Sequence, residues 1–353
     1  MMQRVGLEDG KLSNSVQFLN SPMVSVVMTT FNVEQYVQEA IESILSQTYR
    51  RMEIIIVDDA STDRTPDIIR RMNDPRVRLF TNTINCGTYY SKNFGITTAR
   101  GEYIAIQDSD DISHEFRIEK QVSQLESNPS LAYSLCQYTR FDKDGQHLIP
   151  PRLGFQSALI RRKVFDEIGY YDSVRVAADD EFDARMRLYY GRSCRGVIEE
   201  LLYFNRHRED SLTEKIKIAS TPRTQYVEQY RLGHEQISKN ECYTPFPLKT
   251  RKFPASDQIA VPYREAIEPG QNVVELKTEG RTVTASMATI SSRLPTLPEV
   301  LASILPQVDR LNVFLNDIDV VPEFLTHEKI TVATSKQAGV LDDNAKFYWA
   351  KNL

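Results

Sequence analysis

Apolar positions along the chain switch regularly between unbroken runs and three- and four-residue steps. Val24-Ser25-Val26-Val27-Met28-Thr29-Thr30 is a short β-branched run that predicts a buried strand. Val37, Ala40, Ile41, Ile44 and Leu45 then recur on one helical face, with Asn32 as the expected cap. Glu53-Ile54-Ile55-Ile56-Val57 predicts a second buried strand, closed by Asp58 and Asp59. Ser61 and Thr62 are turn formers, and Thr65-Pro66 predicts a helix start whose inner face is Ile68, Ile69 and Met72. Val77 to Phe80 make a third strand, and Asn85-Cys86-Gly87 a turn into a helix over residues 88–99 that Gly101 ends. Tyr103-Ile104-Ala105-Ile106-Gln107 is a fourth strand that stops abruptly at Asp108, with Asp110 and Asp111 close behind.

Strands alternating with helices in this way predict an α/β fold, a Rossmann-like, mostly parallel, doubly wound sheet with right-handed crossovers. Both acid clusters then fall at carboxyl ends of strands, where such sheets bind ligands. Carboxylates two apart in an extended segment face the same side, so Asp108 and Asp110 can share one hard cation and the phosphate oxygens it carries. The first strand and helix are joined without Gly-x-Gly-x-x-Gly or a Walker lysine loop, which argues against dinucleotide and P-loop chemistry. Further along, Glu119, Val122 and Leu125 fit a helix, Leu131 to Tyr138 a strand, and Phe155 to Phe165 a crossing into a helix that ends at Gly169. Ala178-Asp179-Asp180-Glu181-Phe182 opens another helix, whose first-turn acids the helix macrodipole would stabilise. Residues 214–235 read as helical, and Tyr243 to Pro269, with five prolines and little period, as a linker or wrapping segment.

Bulk properties narrow the class. A length of 353 residues suggests two domains, and 43 basic against 48 acidic residues, a formal charge of −5, disfavour a nucleic-acid partner. Cys86, Cys136, Cys194 and Cys242 lie too far apart for a zinc site and too sparsely for a disulfide scaffold, which points to a reduced, cytoplasmic setting. The first 22 residues lack the pattern of a signal peptide, and no run reaches the ~18 apolar residues of a membrane span. Peripheral association at the inner face of the cell membrane, through a partner, remains compatible with this pattern, as does a homo-oligomer.

Four stretches in order carry a resemblance: Val24 to Asn32, Ser43-Ile44-Leu45-Ser46-Gln47-Thr48, Val57-Asp58-Asp59-Ala60-Ser61-Thr62-Asp63 and Asp108-Ser109-Asp110-Asp111. Together they resemble glycosyltransferase family 2, over about Met23 to Thr213. The resemblance implies the GT-A fold and inverting transfer from a UDP-sugar to a glycan acceptor, with Mn2+ or Mg2+. Thr29, Phe31 and Asp59 match positions that hold the donor's base, with Asn32 and Asp58 beside them. Asp108 and Asp110 match the Asp-x-Asp motif for metal and diphosphate, Asp110 as the direct ligand and Ser109 among the donor contacts. Inversion requires one carboxylate near the acceptor hydroxyl as general base. The resemblance places it in Asp179-Asp180-Glu181, and the register set by Arg185 favours Asp179 over Asp180. Two departures stand out. Lys92 occupies a position where many relatives carry arginine, and Arg208 one where a metal-binding histidine is common; His207, one position away, would face the other side. Lys92 is grouped with the donor contacts, and Arg208 reads as a contact to the diphosphate.

An internal repeat begins near Arg281: Val283-Thr284-Ala285-Ser286-Met287-Ala288-Thr289 echoes residues 24–30, Ala302-Ser303-Ile304-Leu305-Pro306-Gln307 echoes Glu42 to Gln47, and Asn312 to Asp317 echoes the second strand with its acids. The expected organisation is a flexible arm (1–22), a GT-A domain (23–235), a linker or wrapping segment (236–280) and a truncated start of a second similar module (281–353). Two such modules resemble bacterial polymerases of the heparosan-synthase type, and Asp343-Asn344-Ala345-Lys346-Phe347 adds to that resemblance. It implies capsule, exopolysaccharide or glycosaminoglycan-like polymer synthesis, with glucuronosyl transfer by the first module. The competing readings are a non-catalytic glycan-binding or scaffolding module of the same fold, and a phospho-accepting receiver domain, which is about half this size.

Overall fold

The computed structural model describes residues 21–208, 221–261, 273–275, 284–290, 294, 297–305, 310–316 and 321–334. The expected arm up to residue 20, residues 209–213, Asp317 and the 343–347 motif lie outside the described residues. The chain divides into two compact units, the larger made of Met23–Asn73 and Val77–Leu276.

The larger unit opens as β1 (Val24–Thr30), α1 (Val37–Leu45), β2 (Met52–Asp58), α2 (Thr65–Met72), β3 (Val77–Asn82), α3 (Thr88–Thr98) and β4 (Tyr103–Asp108). Strands β3, β2, β1 and β4 lie side by side in that order, all parallel. Because strand side chains alternate, Ile54, Ile56, Val26 and Met28 join the core under α1, whereas Ile55, Val57 and Val27 join the one under α3 with Phe94 and Ile96. Each fully buried isoleucine contributes about 2–3 kcal/mol, which explains why both faces of β1 and β2 are apolar.

Two local expectations are corrected. Asn32 does not cap α1: it adopts a left-handed conformation (φ 51°) and its side-chain oxygen accepts the Thr62 N–H at 2.8 Å, so the helix starts only at Val37. Gly101 does not end α3, which stops at Thr98 with Ala99 already extended. A side chain at Gly101 would lie 2.6 Å from the Ser25 nitrogen, so close approach to β1 is what requires glycine.

Beyond β4 the sheet becomes mixed rather than continuing parallel. The next elements are β5 (Ile112–Ser113), α4 (Arg117–Ser127), β6 (Tyr133–Phe141), β7 (Arg152–Leu153), β8 (Leu159–Arg161) and α5 (Lys163–Ile168). They are followed by α6 (Ala178–Tyr190), β9 (Arg195–Arg206) and α7 (Thr221–Gln236). Strand β8 is antiparallel to both β4 and β6, and β9 is parallel to β6 across a bulge between Cys136 and Tyr138. The exposed pair Glu199-Glu200 interrupts the alternation of β9 at that bulge, which hides the strand in the sequence. Phe253 and Ile259 join the core of this unit, so residues 242–261 wrap it, and β10 (Val273–Glu275) adds an antiparallel strand to β3.

The smaller unit carries a three-stranded parallel sheet, β11 (Thr284–Ile290), β12 (Arg310–Asn316) and β13 (Ile330–Thr334), with α8 (Leu297–Ile304) between the first two strands. Among the described residues no helix is long and apolar enough to cross a membrane.

Candidate active site

Register places the site. Thr29 of β1 pairs with Asp108 of β4 on one side and with Val57 of β2 on the other, so the tips of three neighbouring strands end together. Between β1 and β4 the strand order reverses direction, the position at which open α/β sheets bind ligands.

The β2 tip is turned into the fold. Asp58 is fully buried and accepts hydrogen bonds from Thr30 Oγ1 (2.8 Å), Ser61 Oγ (2.6 Å) and Ser61 N–H (3.0 Å), so it orders its own turn. Asp59 accepts from Asn82 Nδ2 (2.7 Å), Cys86 N–H (2.8 Å), Gly87 N–H (2.7 Å) and Ser91 Oγ (3.1 Å), and thereby shapes the turn that launches α3. Burial pushes its carboxyl above the usual range against the opposing effect of those bonds. At the β1 tip Phe31 is 47 % exposed, and Thr29 Oγ1 shares a 2.8 Å hydrogen bond with Thr88 Oγ1 of α3.

At the β4 tip the three acids divide. Asp108 Oδ1 accepts from the buried Lys92 Nζ at 2.9 Å, and Asp110 Oδ2 from Arg208 Nη1 at 3.0 Å. Asp111 is fully buried, its two oxygens taken by Asn205 Nδ2 (2.9 and 3.1 Å) and the Arg206 N–H (2.8 Å). Ser109 is buried between the first two. Burial and the neighbouring Asp108 raise the Asp110 carboxyl, with Arg208 opposing; burial, Asp110 and Asp108 hold Asp111 well above its ordinary value. Burial works against the charge of Lys92, and the carboxylates of Asp108, Asp179 and Asp111 outweigh it, so its ammonium is held above the ordinary value. Arg208 also lies over the Tyr36 ring at 4.8 Å.

Adjacent acids at the start of α6 point apart. Asp179 Oδ1 accepts from Tyr89 Oη at 2.6 Å, whereas Asp180 pairs with Arg223 of α7. Burial and then Asp179 raise the Asp180 carboxyl, with Arg223 opposing. Glu181 is buried against Arg185 (2.9 Å) and His234 (3.0 Å), and Arg185 also donates to the carbonyls of Ile168 and Tyr170, both at 2.6 Å. This network, with α7 on its far side, fixes where α6 begins. A second anchor is Asn93, whose side chain exchanges two hydrogen bonds with the Tyr171 backbone (2.9 and 3.0 Å). Asn93→Ala is expected to lower stability by about 2 kcal/mol, since it strands buried backbone groups. Urea unfolding measures this, and an unchanged midpoint would contradict it.

Tyr89, Tyr203 and Arg223 were not singled out by the sequence pattern. Tyr89 had a weak signal: it lies three positions before Lys92 and therefore on the same helical face. Tyr203, whose hydroxyl accepts the Asp108 N–H at 3.1 Å, comes from 95 residues downstream and had none.

The residues Asp108 and Asp110 fit a hard cation in kind. Both are oxygen donors on one strand tip, with 35 % and 21 % of their side-chain surface exposed. Among the described residues no three His, Cys, Asp or Glu side chains converge as a metal-holding group, so the remaining donors would be phosphate oxygens and water.

The model of the family described as glycosyl transferase family 2 matches residues 25–181. An uncharacterized glycosyltransferase of Haemophilus influenzae is 41 % identical over 111 residues, 31 % of this chain and 34 % of that protein. Glycosyltransferase GlyG of Streptococcus pneumoniae is 33 % identical over 224 residues, 54 % of this chain and 73 % of that protein. The UDP-Glc:α-D-GlcNAc-diphosphoundecaprenol β-1,3-glucosyltransferase WfaP of Escherichia coli is 34 % identical over 141 residues, 39 % of this chain and 55 % of that protein. The matches to two Haemophilus influenzae glycosyltransferases span only 34 % and 52 % of their lengths.

Proposed function

This chain belongs to glycosyl transferase family 2, and from that premise we propose that it transfers a sugar, with inversion, from a UDP-sugar to a glycan acceptor. The donor's bond from the anomeric carbon to the diphosphate oxygen breaks as the acceptor hydroxyl oxygen bonds to the opposite face of that carbon. Asp179 takes the acceptor's proton. Lys92 and Arg208 would offset the charge left on the diphosphate, and Thr29, Phe31 and Asn32 would contact the nucleoside. Asp108 and Asp110 would hold Mn2+ or Mg2+, which when bound supplies positive charge to the leaving group.

The observation that carries this reading is the short chain of contacts from Asp179 through Tyr89 and Lys92 to Asp108. It puts a candidate base and a candidate diphosphate site on either side of one helical turn. The divergence of Asp179 and Asp180 supports Asp179 for the role. The donor named for WfaP supports a UDP-sugar, and its lipid-linked glycan acceptor supports a role in surface-polysaccharide synthesis. Glucuronosyl transfer, a capsule product and action at the cytoplasmic face of the membrane belong to the same proposal. The order β11-β12-β13 repeats the order β1-β2-β3, which supports residues 281–353 as part of a second module of this kind.

Isothermal titration of the chain with UDP-glucose, UDP-N-acetylglucosamine, UDP-galactose and UDP-glucuronic acid tests the reading. At least one is expected to bind with manganese and to lose that binding with EDTA. Binding by none would sink it, and binding without any release of UDP on long incubation would favour a non-catalytic glycan-binding module.

A further inference from the structure

We propose that Tyr89 is a positioning residue for transfer, holding one oxygen of the Asp179 carboxylate so that the other is free to take the acceptor's proton. This rests on Asp179 being the base, and extends that reading to a residue outside the acid clusters.

Tyr89 stands in the first turn of α3, and nearly every neighbour of that turn fixes it. Its N-terminal end is held by Asp59 through the Cys86 and Gly87 N–H groups, and Thr88 ties it to Thr29 of β1. The Tyr89 ring is buried against Tyr171 at 5.5 Å between centroids, and Asn93, one turn further along, clamps the Tyr171 backbone. A phenol held by its ring has its oxygen fixed in place, and here that oxygen lies 2.6 Å from Asp179 Oδ1, to which it donates. The terminal torsion of an aspartate is otherwise broad and roughly two-fold. One strong donor removes that freedom, because a hydrogen bond to a charged acceptor is about twice as strong as a neutral one.

The consequence is chemical. With Oδ1 occupied, Oδ2 is the atom left to accept the acceptor's proton; Tyr89 keeps its own proton throughout, so the step stays balanced. The same ring also lies 5.6 Å from Lys92 Nζ, which is bound to Asp108. Tyr89 thus sets the base relative to the diphosphate side of the site through one rigid side chain, the kind of support that holds a reacting pair within a fraction of an ångström.

The test uses the full chain and release of UDP to water from whichever of the four UDP-sugars above the parent turns over fastest. Tyr89→Phe removes one oxygen and keeps the ring. It is expected to lower kcat about tenfold with the KM for the donor and the unfolding midpoint nearly unchanged. In the Asp179→Asn background Tyr89→Phe is expected to cause no further loss, since the group it positions is no longer a base. If Asp179→Asn lowers kcat and Tyr89→Phe does not, the positioning role is wrong and the base assignment survives. If Tyr89→Phe acts as strongly in the Asp179→Asn background as alone, its effect does not pass through Asp179 and the inference is overturned. If Asp179→Asn leaves kcat intact, the base reading fails first and takes this inference with it.

Discussion

Asp179→Asn is expected to keep donor affinity and to cut transfer by on the order of a hundredfold or more, the usual worth of a positioned general base. Asparagine preserves the shape of the side chain, and its amide oxygen can still accept the Tyr89 hydroxyl, so the fold and the donor site should be untouched. What is lost is the ability to take a proton. The neighbouring Asp180→Asn provides the control. Asp180 pairs with Arg223 at a half-exposed surface, where such pairs contribute little, so a change of no more than about twofold is expected there. Steady-state release of UDP from the preferred donor measures both. A hundredfold loss in Asp180→Asn with little change in Asp179→Asn would exchange their roles.

Asp110→Asn is expected to abolish manganese-supported binding of UDP while leaving the chain folded. Of the three acids at the β4 tip, Asp108 and Asp110 keep partly exposed side chains, and replacing one of these two proposed donors with an amide removes a charge that would hold a hard cation. The amide can still accept from Arg208, so Arg208 keeps a partner in the variant. Asp111→Asn separates a metal role from a structural one. Asp111 anchors Asn205 and Arg206 of β9, and its substitution should lower the unfolding midpoint before it alters manganese dependence. Titration of UDP in manganese and in EDTA reads the first effect, and circular dichroism on heating reads the second. Equal UDP affinity in manganese for Asp110→Asn and the parent would remove Asp110 from the metal assignment.

Much of this architecture was legible along the chain, and the part that was not has a common cause. The expected strand over residues 24–30 coincides with β1, and Thr65-Pro66 and Gly87 do open helices, because periodicity and turn chemistry are properties of neighbours in sequence. Asn32 misled for the same reason in reverse. Its side chain is a good cap locally, yet Thr62, 30 residues on, offers a donor that ties it to a different loop. Strand β9 escaped because a bulge breaks its alternation, and bulges answer to the partner strand rather than to the strand itself.

The site divides along the same line. An apolar run that ends in acids determines by itself that carboxylates gather at the carboxyl edge of a parallel sheet, since charged groups cannot continue a buried strand. Which of those carboxylates keep open oxygens was decided only by the tertiary structure. Asp58 and Asp59 look as available as Asp108 and Asp110 in the sequence, but Ser61, Asn82 and the α3 turn consume their oxygens. Asp111 is taken by Asn205, 94 residues downstream, while Asp179 and Asp180 are sent in opposite directions by Tyr89, 90 residues upstream, and Arg223, 43 residues downstream. Hydrogen-bond demand on a buried carboxylate is met by whichever donors folding brings within 3 Å. Donors so distant in the chain leave no pattern in its local order, so the acids were written in the sequence and their separate duties were assigned by packing.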